Sequence, residues 1–147
     1  MSRRILVLCT ANSARSQMAE GLLRALGGSA VEVASAGLAP SRVHPLAQRV
    51  MAERGIDISS QRSKHVDEFR GQHFAVIITV CDQAAEQCPV FPGRAERLHW
   101  SFPDPAAVTG SEEEQLSAFR AVRDGLEQRI RSWLASWQEE AGKREQE

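Results

Sequence analysis

The chain has 147 residues, of which 42% are hydrophobic and 25% charged, with 10 Gly and 6 Pro. This is the profile of one globular domain large enough to fold without a disulfide or metal staple. Eighteen basic residues against nineteen acidic leave a formal net charge of −1, which excludes the concentrated positive field of an electrostatic nucleic-acid binder or a polybasic membrane protein. The longest apolar runs, Ile5–Cys9 and Phe74–Thr79, are too short to span a bilayer. Too little apolar sequence follows Met1-Ser2-Arg3-Arg4 for a signal peptide. A cytoplasmic monomer is expected, with no nucleic-acid and no membrane partner.

Arg4–Leu8 reads as a buried strand ending in a polar turn. Ser16–Leu26 reads as a helix with Met18, Leu22, Leu23 and Leu26 on one face, stopped by Gly27-Gly28. Val31–Ala36 alternates as a second strand, and Pro45–Arg54 is helical with Gly55 as its cap. A short helix is expected at Val66–Phe69 and a buried strand at Phe74–Val80. Cys81–Gly93 has two prolines and no clean period, so it reads as a long irregular segment. Arg97–Trp100 is a short strand and Ser101–Thr109 a Pro-punctuated loop. Leu116, Phe119, Val122, Leu126, Ile130, Trp133, Leu134 and Trp137 then mark a long helix, opened by a Ser111/Glu114 capping box. Residues 1–138 form one domain on this reading, and the polar tail 139–147 is expected to fray. Strands alternating with helices predict an α/β fold: a parallel sheet covered by helices on both faces, with ligands at the carboxyl ends of the strands.

The three cysteines are an odd number in a chain expected to stay reduced, which points away from a structural disulfide framework. Cys9 ends the first strand, and Thr10-Ala11-Asn12-Ser13-Ala14-Arg15 joins it to the helix starting near Ser16. A loop at that place turns successive backbone N–H groups into one concavity, backed by the positive end of the helix dipole. Such a nest binds a tetrahedral oxyanion. Arg15 adds a planar fork that grips two oxygens, and the positive surroundings favour a Cys9 thiolate placed to attack the central atom. Ser16 is positioned to donate to that thiolate, and Asn12 tolerates the left-handed backbone a tight anion loop demands. The plain alternative is a buried strand-end cysteine with Arg15 on the helix surface. No Walker-type Gly-x-x-x-x-Gly-Lys stretch is present.

The run Cys9-Thr10-Ala11-Asn12-Ser13-Ala14-Arg15-Ser16-Gln17-Met18-Ala19-Glu20 resembles the signature shared by low-molecular-weight protein tyrosine phosphatases and thioredoxin-coupled arsenate reductases. The resemblance implies their common three-layer fold, a four-stranded parallel sheet flanked by helices.

Cys81 and Cys88 are seven residues apart, at the end of a buried strand and inside the irregular segment. This is not the Cys-x-x-Cys spacing of a dithiol motif. Zinc would need four ligands, and His99 with three distant cysteines is a thin set, so no metal is expected. Two inert core cysteines are one reading. The other is a relay, in which Cys81 attacks the sulfur of a Cys9 adduct and Cys88 then attacks Cys81 by thiolate–disulfide exchange. Val80-Cys81-Asp82 and Glu86-Gln87-Cys88-Pro89-Val90-Phe91-Pro92-Gly93 resemble the redox segment of the thioredoxin-coupled arsenate reductases, which the phosphatases lack.

Phe102-Pro103-Asp104-Pro105 sets a carboxylate between two prolines. By itself this is a turn aspartate; the resemblance makes Asp104 the general acid for the leaving oxygen. Ala106-Ala107 follow where the phosphatases have aromatic residues, which favours a small inorganic oxyanion. Some of the similar reductases hold a potassium ion, and Asn12, Glu20 and Ser35 match three of its ligand positions. Lys64 falls where those enzymes have a fourth, acidic ligand, so its ammonium is expected to replace the ion and pair with Glu20. The function that the resemblance implies is reduction of arsenate to arsenite. Phosphate or sulfate would compete as oxyanions, no cofactor would be bound, and thioredoxin would be the partner that restores the thiols. A phosphomonoesterase is the alternative.

Overall fold

Strand β1 (Arg3–Cys9) grows from the apolar run Ile5–Cys9 and is buried along all of it. Successive strand side chains point to opposite faces, so burial at every position means that both faces of the sheet are covered at β1. In the computed structural model, which describes the backbone of residues 2–146 and the side chains of residues 2–137, β1 lies inside a four-stranded parallel sheet. Its neighbours are β2 (Val31–Gly37), β3 (Val76–Thr79) and β4 (Glu96–His99), in the order β2-β1-β3-β4. Helix α1 (Arg15–Gly27) connects β1 to β2 and packs on β2 and on α4 (Glu112–Gln146). Helix α2 (Pro45–Ala52) leans on α1 and α4.

The core is the apolar face of each expected element. Met18, Leu22 and Leu23 of α1, Val50 and Met51 of α2, and Leu116, Phe119, Val122, Leu126, Ile130 and Leu134 of α4 are buried, with Trp133 and Trp137 packed against them. α2 stops two residues earlier than expected, and Gly55 at φ +72° closes it. Ile56 N–H then bonds to the Met51 carbonyl at 3.1 Å, the bond of a Schellman turn. Ser111 caps α4 by accepting from Glu114 N–H at 3.2 Å.

Two expectations are corrected. Cys81–Gly93 is not irregular throughout, because Asp82–Gln87 form the short helix α3. Cys81 Sγ accepts from Ala84 N–H at its start, Asp82 sits in its first turn, and Pro89 follows its end. Six residues are too few to display a helical period. The Ser101–Thr109 loop contains a 3-10 turn at Pro105–Ala107, opened by the Asp104 carboxylate. Beyond Trp137 the backbone continues α4 as far as Gln146, in a segment whose Glu, Gln, Lys, Arg and Ala residues are strong helix formers. Glu147 lies outside the described residues. Among the described residues, no helix is long and apolar enough to cross a membrane.

The strand order positions the functional end. After β1 the chain turns toward β2, and after β3 it turns toward β4, so β1 and β3 flank the point where connections diverge. Open α/β sheets bind ligands in the crevice at such a point. Cys9 ends β1 and Cys81 lies just past β3. On the other side, Gly37 ends β2 opposite Cys9 and carries the loop directly on its backbone. A Cβ there would lie 2.5 Å from Thr10 O and 2.8 Å from Asn12 N. Gly37→Ala is therefore expected to cost about 1–3 kcal/mol in urea unfolding and to weaken anion binding. Unchanged stability and affinity would show that the loop yields freely.

Candidate active site

The segment between Cys9 and Arg15 curls into a loop whose carbonyls are all held outward. Thr10 O accepts from Ala39 N–H at 2.8 Å, and Ala11 O from Ser41 N–H at 3.2 Å and the Ser63 hydroxyl at 3.1 Å. Asn12 O accepts from Gln17 Nε2 at 3.0 Å, Ser13 O from His44 N–H at 3.0 Å, and Ala14 O from Met18 N–H at 2.9 Å. In a planar trans peptide the N–H points opposite the carbonyl, so this outward anchoring turns the N–H edges into the loop. Helix α1 begins at Arg15 with no acidic residue in its first turn and no side chain capping it. Its first N–H groups and the positive end of its dipole are thus left for an anion.

Asn12 holds the shape. It is fully buried, and its φ of +46° is the only positive value at a non-glycine residue among the described residues. Its side chain donates to Ser16 Oγ at 2.7 Å and Ser35 Oγ at 3.0 Å and accepts from Lys64 N–H at 2.9 Å. Its own N–H donates to Cys9 Sγ at 3.2 Å, and Ser16 Oγ lies 2.9 Å from the same sulfur. Two hydrogen-bonding groups thus converge on the buried Cys9 thiol from below.

Above Cys9 opens a cavity of about 280 Å³ lined by Thr10, Ala11, Ser13, Ala14, Arg15, Ser41, Asp104 and Ala106. Arg15 is steadied by a bond from Nη1 to Phe102 O at 3.0 Å, in the loop that delivers Asp104. Asp104 accepts from Ala106 N–H at 3.0 Å and stands exposed at the cavity wall.

Cys81 is buried as the N-cap of α3, with its sulfur 3.3 Å from Thr10 Oγ1. Cys9 and Cys81 therefore meet the same residue from two sides. Cys88 does not join them. It is half-buried at the far end of α3 and lines a separate cavity of about 160 Å³, with Arg97 Nη1 at 3.2 Å from its sulfur. His99, weighed above as a zinc ligand, instead bonds Thr79 Oγ1 at 2.7 Å and Asp82 Oδ1 at 2.9 Å. That contact holds the Asp82 carboxyl below its ordinary range. Among the described residues, no group of three or more His, Cys, Asp or Glu side chains is placed to hold a metal.

Behind the loop lies the Glu20 cluster. Glu20 is buried, with Oε1 accepting from Ser35 at 2.6 Å and lying 3.8 Å from Lys64 Nζ. Arg24 Nη2 pairs with Oε2 at 2.9 Å. Lys64 Nζ also donates to Arg62 O at 2.9 Å, and burial lowers the Lys64 pKa, with Glu20 opposing that shift. Both Glu20 oxygens are engaged by cationic side chains, so a metal cation added here would meet two like charges; the residues present do not fit one. The sequence reading missed Arg24, although its i,i+4 spacing from Glu20 marks it. It also missed Gln17, Ser63 and Arg97, which reach Arg62 O, Ala11 O and Cys88 Sγ across separate segments.

The sequence matches the family described as low molecular weight phosphotyrosine protein phosphatase over residues 4–144. The chain belongs to this family. It is 44% identical over 129 residues to an arsenate reductase of Halalkalibacterium halodurans, covering 88% of this chain and 93% of that protein. A solved arsenate reductase in the phosphate binding state superposes with a TM-score of 0.75 at 34% identity, covering 91% of this chain and 98% of the other. A thioredoxin-dependent arsenate reductase of Corynebacterium glutamicum gives a TM-score of 0.72 at 30% identity, over 93% of this chain and 62% of that one.

Asn12→Ala removes three side-chain bonds and leaves an alanine at positive φ. It is expected to weaken binding of inorganic phosphate to the reduced protein by about tenfold or more, read by calorimetry. Retained affinity would mean that the loop holds its shape without this side chain.

Proposed function

We propose that the protein reduces arsenate to arsenite by a thiol relay that starts at Cys9. The observation that carries this reading is the second thiol at the anion loop: Cys81, buried and 3.3 Å from the hydroxyl of the residue next to Cys9. Ester hydrolysis has no use for it. The identity to arsenate reductases gives further support.

Arsenate enters the loop, where inward N–H groups, the α1 dipole and Arg15 bind its oxygens. The Cys9 thiolate, supported by Ser16 and by Asn12 N–H, attacks arsenic while Asp104 protonates the departing oxygen, which leaves as water. Cys81 then attacks Cys9 Sγ. The sulfur–arsenic bond breaks with its electron pair on arsenic, which falls from As(V) to As(III) and leaves as arsenite. The two thiols are oxidised to a Cys9–Cys81 disulfide, so the electrons balance. Cys88 exchanges into this bond, freeing Cys9 and leaving Cys81–Cys88 for a dithiol partner; the thioredoxin-dependent relative supports thioredoxin in that role.

The last exchange requires α3 to open. Cys81 and Cys88 cap its two ends, and at 1.5 Å rise per residue a helix holds them roughly 10 Å apart. A disulfide needs Cα atoms within about 7 Å. Cys88→Ser is accordingly expected to release about one arsenite per enzyme and then stall, with thioredoxin and its reductase as the only reductant. Steady multiple turnover of that variant would overturn the relay.

The Lys64 ammonium stands, on this reading, where similar reductases hold potassium, and with Arg24 it balances the buried Glu20. Potassium titrated at constant ionic strength is expected to leave kcat/KM unchanged. A saturable, severalfold rise would overturn the substitution.

A further inference from the structure

We propose that Arg97 is a positioning residue for the relay, holding the Cys88 sulfur in its charged, attacking form before α3 opens. The inference rests on the relay reading and extends it to a residue outside the anion site.

Cys88 has an unfavourable place in the fold for a nucleophile. It is the C-cap of α3, where unpaired carbonyls concentrate partial negative charge that opposes a thiolate. The last turn of α3 contains no basic residue to offset this. Cys81, at the opposite end, has the helix N-terminus and Ala84 N–H at its sulfur. The missing positive charge comes to Cys88 from the sheet. Arg97 is paired with Ile77 across β3 and β4, and its Nη1 donates to Cys88 Sγ at 3.2 Å. Sulfur and guanidinium border the same cavity, which Ile77, Ala85 and His99 also line. The bond lies at the exposed surface, and its charge makes it stronger than one between neutral groups. The long Arg97 side chain can follow the sulfur as the helix unwinds.

In the step this serves, the Cys88 thiol has lost its proton to solvent and its sulfur donates an electron pair to Cys81 Sγ. The Cys9–Cys81 bond breaks with its pair on Cys9, the Cys81–Cys88 bond forms, and there is no net oxidation. Arg97 touches neither arsenate nor Cys9, so the first half of the reaction does not depend on it.

The test separates the two halves. Reduced protein receives one equivalent of arsenate, is acid-quenched over time, and its disulfides are mapped by alkylation and mass spectrometry. Arg97→Met, which retains the length and apolar stem without the charge, is expected to release the first arsenite at the parent rate. It should then accumulate Cys9–Cys81 and form Cys81–Cys88 about tenfold more slowly. Arg97→Lys should recover most of that loss, which a packing role would not produce. Transfer in Arg97→Met at the parent rate, with both disulfides forming in the parent, would overturn the role of Arg97 alone. A parent protein that never forms Cys9–Cys81 would overturn the relay reading, and this inference with it.

Discussion

The buried side chain of Asn12 is the constraint on which the functional end depends. A residue at φ +46° has to be held there, because the left-handed region is costly for anything but glycine. Asn12 is held by its bonds to Ser16 of α1, to Ser35 of β2 and to the Lys64 backbone. Three segments separated in sequence are thereby fixed to one amide, and the loop between Cys9 and Arg15 has little freedom left. The same residue directs its own N–H at the Cys9 sulfur. One residue therefore sets both the curvature of the anion nest and the surroundings of the thiol beneath it.

The nest also resolves the apparent conflict between an anion site and a net charge of −1. Its positive character comes from oriented peptide dipoles and a single guanidinium, which a charge count does not register. Orientation is achieved from the outside, by anchoring each carbonyl of the loop to Ala39, Ser41, His44, Gln17 or Met18. The segment following β2 supplies three of those anchors, which explains why Gly37 must let its backbone pass against Thr10 and Asn12. Glu20, buried behind the loop, is balanced by Arg24 and Lys64.

Much of this was legible in the sequence because the signals were local. A short apolar run, a Cys-to-Arg loop and a helix with Met18, Leu22 and Leu23 in register declare a strand, a nest and a helix without any long-range information. The expectation that Lys64 pairs with Glu20 comes from a resemblance; in the fold Lys64 Nζ lies 3.8 Å from Glu20 Oε1. What remained hidden depends on distance in the chain. Arg97 meets Cys88 only because β4 lies beside β3, and Gln17 meets Arg62 O only because α1 passes the Ser63 segment. α3 was hidden for another reason: six residues capped by a cysteine sulfur carry neither a period nor an ordinary cap.

That weakness of α3 fits the chemistry proposed for it. Helices much shorter than a dozen residues have little stability of their own and persist through tertiary contacts. The contacts that hold it are few: buried Ala84, the bonds of Thr10 to Cys81 and Gln83, the local sulfur cap at Cys81, the Asp82–His99 bond and the Arg97–Cys88 bond. Each of the last three involves one end of the helix, and two involve the thiols themselves. In the proposed relay, a Cys9–Cys81 bond would draw the Cys81 sulfur away from Ala84 N–H, so the first disulfide would loosen the element that keeps the second pair apart. A longer or better-packed helix would hold Cys81 and Cys88 apart more firmly, and an unstructured loop would not hold Cys81 beside Thr10 while the anion binds.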